Sequence, residues 1–219
     1  MWRLARARTV VRFSRFKRYS STIRELQDAF RDPASPYHIP EGSRGPASPD
    51  EQLITLSPAE EGHAYFEDRG FDPTSFWEQP IAWGDHDAFQ HVNNVRYVRF
   101  FESGRIRWIS SVGEELGGPG RADAFLRARG ISFILKSIEV NFRRPVQYPD
   151  TLLIAHKPAL EPEPKRARTQ FLLHGRAFSY AQRAIVADST SVITWYDYEK
   201  LAKCDPGDDH WAPILGRIR

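Results

Sequence analysis

The order of the predicted elements indicates an α+β fold in which an antiparallel β-sheet wraps around one long helix. The sequence predicts one strand, then a long helix, and then a run of four strands. Strands that follow one another after a single helix favour antiparallel pairing over the alternating units of a parallel sheet. Hydrophobic residues make up 41% and aromatic residues 13% of the 219 residues, which is enough apolar mass for a globular core.

Each element has its own local signal. Residues 76–84 are predicted to form a strand and residues 94–112 one long helix. A glycine-rich turn at 117–120 separates this helix from a shorter one at 121–129, which Gly130 ends. The later strands are short β-rich segments, the first of which alternates apolar and polar side chains. They are predicted over 137–142, 151–157, 169–175 and 184–195.

Two charged residues, Glu102 and Arg105, fall within the apolar arc of the long helix. Buried charges are costly unless they are paired, and residues three apart on a helix can pair. We expect a buried or interfacial ion pair here, with Glu102 as a secondary candidate for a functional site. At about 100° per residue, the apolar residues of this arc are Val95, Val98, Phe101, Ile109 and Val112.

The formal net charge of +3 arises at the N-terminus. Residues 1–19 hold seven Arg or Lys residues and no acidic residue, interleaved with apolar side chains. This composition predicts a mitochondrial transit peptide and import into the matrix. The alternative is a basic arm for RNA or for an anionic membrane surface. Without these residues the chain has 24 basic and 28 acidic residues, so no nucleic-acid binding is expected of the remainder.

The rest of the chain divides by composition. Residues 20–75 are rich in Pro, Gly and Ser and are predicted to form an extension, mostly irregular, with one short helix that begins at a capping box of Thr22 and Glu25. The domain is predicted over 76–200, with 201–219 as a C-terminal tail. The single cysteine excludes a disulfide framework and a multi-cysteine zinc site. The apolar runs are too short to span a membrane.

The densest polar cluster joins the first strand to the long helix. It runs from Trp83 to Asn94 with the sequence WGDHDAFQHVNN. A helix N-terminus offers unpaired N–H groups and a partial positive charge, which suit a developing oxyanion. Asp85 and Asp87, two residues apart, would share a face if the first strand continued that far. A carboxylate a few residues before the helix would then face the carbon whose oxygen these N–H groups hold. This arrangement suits acyl transfer without a serine or cysteine nucleophile.

Residues 81–108 resemble the signature of the 4-hydroxybenzoyl-CoA thioesterase-like branch of the hotdog superfamily. The matching positions are an aromatic and a small residue, Asp-x-Asp, His-Val-Asn-Asn, and an aromatic helix with a Phe-Glu pair. Residues 138–150, IEVNFRRPVQYPD, are similar to the family's strand–Pro–turn–Asp segment. The resemblance covers 75–200. It implies a hotdog fold, a homodimer or homotetramer with sites between subunits, and hydrolysis of acyl-CoA or acyl-carrier thioesters with no cofactor beyond the CoA of the substrate.

The resemblance also implies roles for individual residues. Asp87 matches the catalytic carboxylate, as nucleophile or as general base toward water. His91 matches a histidine that belongs to the catalytic set of the plant acyl-carrier-protein thioesterases, which have Asn where this chain has Phe89. Asn94 would cap the helix or position the thioester carbonyl, and Asp85 matches a structural position. The candidate substrate-binding residues are Gly84, Asn93, Glu102, Arg143 and Arg144.

Each candidate also has a structural interpretation. Asp87 alone would be a helix N-cap, and His91 a satisfied structural histidine. Arg143 and Arg144 are either solvated at a strand end or bind the phosphates of CoA. A metal site built from the clustered aspartates and histidines is not favoured, because consecutive strand residues point to opposite faces and no remote ligand set is evident.

A second function is also consistent with the sequence. A hotdog domain can be kept as a non-catalytic structural or binding subunit of a mitochondrial assembly, since a fold does not determine a function. The extension at 20–75 favours this alternative. The intact set of Asp87, His91 and Asn94 favours the enzyme, because an architectural protein would not need it.

Overall fold

The computed structural model describes residues 28, 31–35, 38, 56–162 and 168–218. The transit peptide predicted at 1–19 and the capping box of Thr22 and Glu25 lie outside the described residues. The chain divides into two compact units, Met1–Thr55 and Leu56–Arg219. In the first unit, residues 28 and 31 are helical, and the carboxylate of Asp32 accepts a hydrogen bond from the backbone N–H of Ala34 in the turn that follows.

The second unit combines helices with one antiparallel sheet. Its helices are α1 (Pro58–Glu67), α2 (Asn94–Leu126) and α3 (Asp208–Gly216). Its strands are β1 (Asp72–Pro80), β2 (Ile131–Phe142), β3 (Thr151–Leu160), β4 (Gln170–Ser179), β5 (Ala184–Asp197) and β6 (Ala202–Lys203). A short 3-10 helix, Trp83–Asp85, lies between β1 and α2.

The strand order is β1-β3-β4-β5-β2, with β6 paired to β5, and every pairing is antiparallel. The sheet curls around α2, and aromatic side chains of α2 such as Phe101 and Trp108 are buried against the strands. The predicted α+β class is therefore confirmed, because hairpin-connected strands close over the apolar face of one helix.

The domain boundaries predicted at 76 and 200 are wrong. The folded unit begins at Leu56, because α1 buries Phe66 against Phe71 and Phe76. Helix α1 starts at a capping box in which Ser57 and Glu60 exchange backbone-to-side-chain hydrogen bonds of 3.2 and 2.7 Å. The predicted C-terminal tail instead forms β6 and α3, and Trp211 of α3 is buried in the core.

The first strand also differs from its prediction over 76–84. Strand β1 ends at Pro80, and the chain then enters the 3-10 helix. Proline cannot donate a ladder hydrogen bond, which suits the end of a strand. Because the strand does not continue, Asp85 and Asp87 do not share a strand face.

The predicted glycine-rich turn is confirmed within α2. Gly117 and Gly118 depart from helical geometry, and Gly118 has a φ of 72°, which favours glycine. The helix therefore breaks and its last turns fold back. Gly113 permits this close approach, since a Cβ there would lie 2.6 Å from the Cα of Ala122.

The apolar arc predicted for α2 is only partly correct. Phe101, Ile109 and Val112 are buried, but Val95 is 71% exposed and Val98 is 41% exposed. The larger aromatic side chains take the core instead and rotate the buried face away from these valines. The other buried residues of α2 before the break include Tyr97, Phe100, Gly104, Arg105 and Trp108.

His156 of β3 occupies a polar position in the core beneath α2. Its ring lies between two glycines, because a Cβ on Gly104 or on Gly175 would approach the ring to 2.9 or 3.1 Å. The ring is fully buried, and neither nitrogen has a hydrogen-bond partner among the described residues. Burial first, and the nearby Arg105 second, lower the pKa of His156 to about 3. His156 is therefore neutral in the folded protein at neutral pH.

Acid is expected to destabilise the fold through His156. Between its ordinary pKa of 6.5 and the folded value of about 3, the unfolded state binds a proton that the folded state does not. The free energy of unfolding therefore falls as pH decreases from about 6.5, by at most about 1.4 kcal/mol per pH unit from this group. Chemical denaturation at a series of pH values between 7 and 4.5 measures the slope.

The variant His156→Leu is the control for this prediction. It should show a shallower dependence of the free energy of unfolding on pH over the same range. His174 and His210, whose pKa burial also lowers, titrate in both proteins and cancel in the comparison. Equal slopes in the two proteins would contradict the assignment.

Candidate active site

The polar cluster is held as a loop, residues 81–93, that is pinned at both ends. The backbone N–H of Ile81 donates to the carbonyl of Asp150 at 2.9 Å, and that of Val92 donates to the carbonyl of Val146 at 2.8 Å. Both acceptors belong to the segment that joins β2 to β3. The sheet therefore determines where the loop lies and where α2 begins.

Two further hydrogen bonds hold the middle of the loop to the same segment. The Nε2 atom of His86 accepts from the backbone N–H of Tyr148 at 2.8 Å. The side-chain amide of Gln147 donates to the carbonyl of Gln90 at 3.1 Å. Since Nε2 of His86 accepts this hydrogen bond, Nδ1 is the ring nitrogen that can donate to another group.

Asp85 is engaged in interactions within the loop. Its carboxylate accepts from the backbone N–H of Ala82 at 2.9 Å and pairs with the guanidinium of Arg96 at 3.4 Å. Its carbonyl accepts from the N–H of Asn93 at 2.9 Å. These contacts connect the 3-10 helix to the first turn of α2, so Asp85 orders the loop.

Asp87 has a different environment. It is half-buried, and its Oδ1 atom accepts one hydrogen bond, from the backbone N–H of Phe89 at 2.9 Å. No described residue donates to Oδ2. Asp87 is not the N-cap of α2, because Asn93 takes that position and accepts from the N–H of Val95 at 3.1 Å. One carboxylate oxygen of Asp87 thus remains available to a substrate or a water molecule.

The identity of the N-cap residue also shows that Asn94 does not cap α2, contrary to one expectation from the sequence. Asn94 is the first helical residue rather than the cap, and it is exposed at the N-terminus of α2. His91 is half-buried, its Nδ1 atom lies 3.3 Å from the carbonyl of Val92, and its ring stacks on Phe89.

The structure distributes most of the predicted residues over two cavities. The first has a volume of about 610 Å³ and contains Gly84 and Asp87. The second has a volume of about 390 Å³ and contains His91, Asn94, Arg143 and Arg144. A hydrogen bond of 3.2 Å from the N–H of Asp87 to the carbonyl of His91 connects their walls. Asn93 and Glu102 line neither cavity.

Arg143 and Arg144 lie just beyond β2, which ends at Phe142. Both backbone N–H groups donate to the carbonyl of Val186, at 2.8 and 3.2 Å. The guanidinium of Arg143 pairs with Asp188. Both arginines are exposed and line the second cavity, so they are positioned to contact an anionic group that enters it.

Glu102 does not belong to the buried arc that the sequence predicted. Its side chain is 58% exposed, and Oε1 lies 3.9 Å from Nη2 of the buried Arg105. Burial lowers the pKa of Arg105, and the charge of Glu102 partly offsets this effect. The ion pair exists, but it lies at the surface end of Arg105 rather than at either cavity.

Several lining residues were not singled out from the sequence. Trp83, Gln90, Gln147 and Tyr148 complete the first cavity, and Tyr97 lines the second. Burial, with Asp150 adding a smaller effect, raises the pKa of Tyr97 to about 12, so its hydroxyl keeps its proton. Gln147 and Tyr148 lie within the strand–Pro–turn–Asp segment. The sequence pattern identified this segment but did not identify these two side chains as cavity residues.

Two absences hold for the residues that the structure describes. No group of three or more His, Cys, Asp or Glu side chains in this part of the chain is arranged to hold a metal ion. Among the described helices, none is both long and apolar enough to cross a membrane.

A family comparison covers the residues that form both cavities. Residues 81–211 match the model of the thioesterase-like superfamily, from the first residue of the pinned loop into α3. The chain belongs to the thioesterase-like superfamily. The match includes both cavities and the segment that joins β2 to β3.

A curated relative of the chain is a thioesterase. Over 70 residues the chain is 37% identical to the long-chain acyl-CoA thioesterase FadM of Escherichia coli strain K12. The aligned region is 31% of this chain and 46% of FadM, so it spans less than half of that relative's length.

Solved structures share the fold. The YbaW protein of Escherichia coli is 19% identical, with a TM-score of 0.51, and the match covers 66% of this chain and 98% of that one. Slr0204, a 1,4-dihydroxy-2-naphthoyl-CoA thioesterase from Synechocystis, is 13% identical with a TM-score of 0.51, covering 64% and 94%. These similarities confirm the predicted hotdog fold.

Proposed function

We propose that the protein hydrolyses an acyl-CoA thioester to a free carboxylic acid and CoA. The observation that carries this proposal is the position of Asp87, half-buried in a cavity of about 610 Å³ on the loop that leads into α2, in a chain of the thioesterase-like superfamily. Its free carboxylate oxygen either attacks the carbonyl carbon or removes a proton from an attacking water. No residue of the site needs a cofactor for this step.

The N-terminus of α2 supplies the complementary charge. Its backbone dipoles place a partial positive charge of about half an elementary charge at the helix start, where negative charge develops on the thioester oxygen. Asn94 lies at this position and lines the second cavity together with His91, whereas Asp87 lines the first. Arg143 and Arg144 then face the CoA side of the substrate, where guanidinium groups suit phosphate.

One further part of the proposal concerns the location of the protein in the cell. The acid-free basic segment at 1–19 supports import into the mitochondrial matrix.

Another part concerns the branch of the superfamily. The spacing of Asp85, Asp87, His91 and Asn94 supports placement in the 4-hydroxybenzoyl-CoA thioesterase-like branch. The acyl chain would lie against side chains of the two cavities.

We also propose that the protein is a homodimer joined through β2. Among the described strands, β2 pairs with β5 alone, which leaves its other edge free over 12 residues. Ile134, Leu135 and Phe142 on this strand are 39, 36 and 46% exposed. A long apolar edge is a template for pairing with another strand, and a twofold axis pairs β2 with its own copy. Phe142 also lines the second cavity, which supports a site close to this interface.

The other edge of the sheet is less suited to pairing. Strand β1 has a register shift between Asp72 and Trp77, and such irregularities protect an edge from further strand addition.

The dimer predicts a mass near twice the 25.2 kDa of the full chain in light scattering after size exclusion. Ile134→Lys should convert the protein to a monomer, because a lysine on an edge strand blocks pairing. Leu160→Lys, at an exposed position at the end of β3, should remain dimeric. A monomeric wild type, or a dimeric Ile134→Lys, would contradict the interface.

The catalytic role of Asp87 predicts the effect of Asp87→Asn. Thiol release from short, long and aromatic acyl-CoAs should fall by about 100-fold or more in kcat, the usual contribution of a positioned base. The matched control is Asp123→Asn, the same chemical change at the far end of α2, where the carboxylate is exposed and pairs with Arg127. Its turnover should equal that of the wild type.

Two outcomes would overturn this assignment. Full activity in Asp87→Asn would remove Asp87 from the mechanism. If the wild type released no thiol from any of these substrates, the chain would instead be a non-catalytic hotdog subunit.

A further inference from the structure

A third cavity, which we call the outer cleft, lies on the face of the sheet that is turned away from α2. Its volume is about 510 Å³, and it is bounded by Arg69 after α1 and by residues of β3, β4 and β5. His156 and Gly175 contact the helix side of the sheet, so by strand alternation Lys157 and Arg176 point to the opposite face. The cleft is therefore separated by the sheet from the packing of α2.

The cleft is strongly cationic. Four of its lining residues are basic, Arg69, Arg143, Lys157 and Arg176, and among its described lining residues Asp188 is the single carboxylate. Residues 56–219 as a whole carry 21 basic and 22 acidic residues, so this positive charge is local rather than general. Clustering like charges costs free energy, which a bound anion would offset.

The basic side chains are held in place by groups of the protein. The ammonium of Lys157 donates to the carbonyl of Arg69 at 3.0 Å. The guanidinium of Arg176 donates to the hydroxyl of Tyr65 at 3.1 Å, and its Nε lies 3.1 Å from Asp188. Arg69 stacks over the ring of Tyr65 at 4.0 Å. Their positions are thus set before any ligand arrives, which reduces the entropy that binding must lose.

His174 lies beside these cations on β4. Its Nδ1 atom is 3.2 Å from the hydroxyl of Thr190. Burial, followed by the charges of Lys157 and Arg176, lowers the pKa of His174. The imidazole and the hydroxyl of Thr190 therefore add hydrogen-bonding groups beside the cations.

We propose that this cleft binds the phosphate groups of a nucleotide-type ligand. Guanidinium groups match phosphate oxygens in pairs, and a charge of +3 over the lining residues suits a ligand with two or more negative charges. The volume lies within the range of small-molecule sites. Arg143 lines both this cleft and the second cavity of the active site, which favours CoA as the source of the phosphates. That source rests on the proposed function; the anion site does not.

Calorimetric titration of the full chain with adenosine 3′,5′-bisphosphate and with pyrophosphate tests the site. The wild type should bind these probes, and Lys157→Gln/Arg176→Gln should weaken binding by at least about tenfold, because two of four cations are lost. Arg129→Gln/Lys203→Gln removes the same charge at exposed positions outside the cleft and should bind as the wild type does. Lys157→Gln alone, with a smaller loss, covers the case in which the double variant does not fold.

A kinetic arm distinguishes the two sources of phosphate. If CoA supplies the phosphates, the double variant raises the KM for acyl-CoA, leaves kcat unchanged, and leaves the turnover of acyl-pantetheine, which has no nucleotide phosphates, unaffected. If a separate phosphorylated ligand uses the cleft, calorimetric binding weakens while both KM values stay constant. Absence of binding by both probes, or equal weakening in the control, would overturn the site. This result does not depend on turnover and so is separate from any failure of Asp87.

Discussion

The position of Asp87 depends on the hydrogen bonds that pin residues 81–93 to the segment between β2 and β3. That segment is itself fixed, because the carboxylate of Asp150 accepts hydrogen bonds from Ser179 and from the N–H groups of Thr151 and Ala181 at the neighbouring turn. The geometry of the sheet is thereby transmitted to the loop, and from the loop to the start of α2. A carboxylate on a free loop would gain no such alignment with the helix N-terminus.

The sheet performs two different tasks on its two faces. On the inner face, the glycines at 104 and 175 allow α2 to lie close over His156, and the neutral imidazole keeps this polar position compatible with burial. On the outer face, alternate positions of the same strands carry basic side chains of the outer cleft. Arg143, at the end of β2, lies at the border between the outer cleft and the active-site cavity.

The parts that the sequence predicted well are those with a local signal. The start of α2, its glycine break and the later strands follow from capping, turn and alternation patterns. The inclusion of α1 and α3 in the domain was not predictable in this way, because the burial of Phe66 and Trp211 is a tertiary effect. The outer cleft was also not predictable from the sequence, because Lys157 and Arg176 become neighbours only through the register of β3 with β4.

The most direct measurement is a crystal structure with a 2-oxoalkyl-CoA, in which a methylene group between the carbonyl carbon and the sulfur prevents hydrolysis. We expect the carbonyl carbon of this analogue to lie within about 3.5 Å of the Asp87 carboxylate, or of a water held by it. The adjacent oxygen should face the N–H groups at the start of α2, with the CoA moiety extending past Arg143. An analogue bound with its carbonyl carbon away from Asp87, or at a site that does not include the loop 81–93, would contradict the proposed role of Asp87.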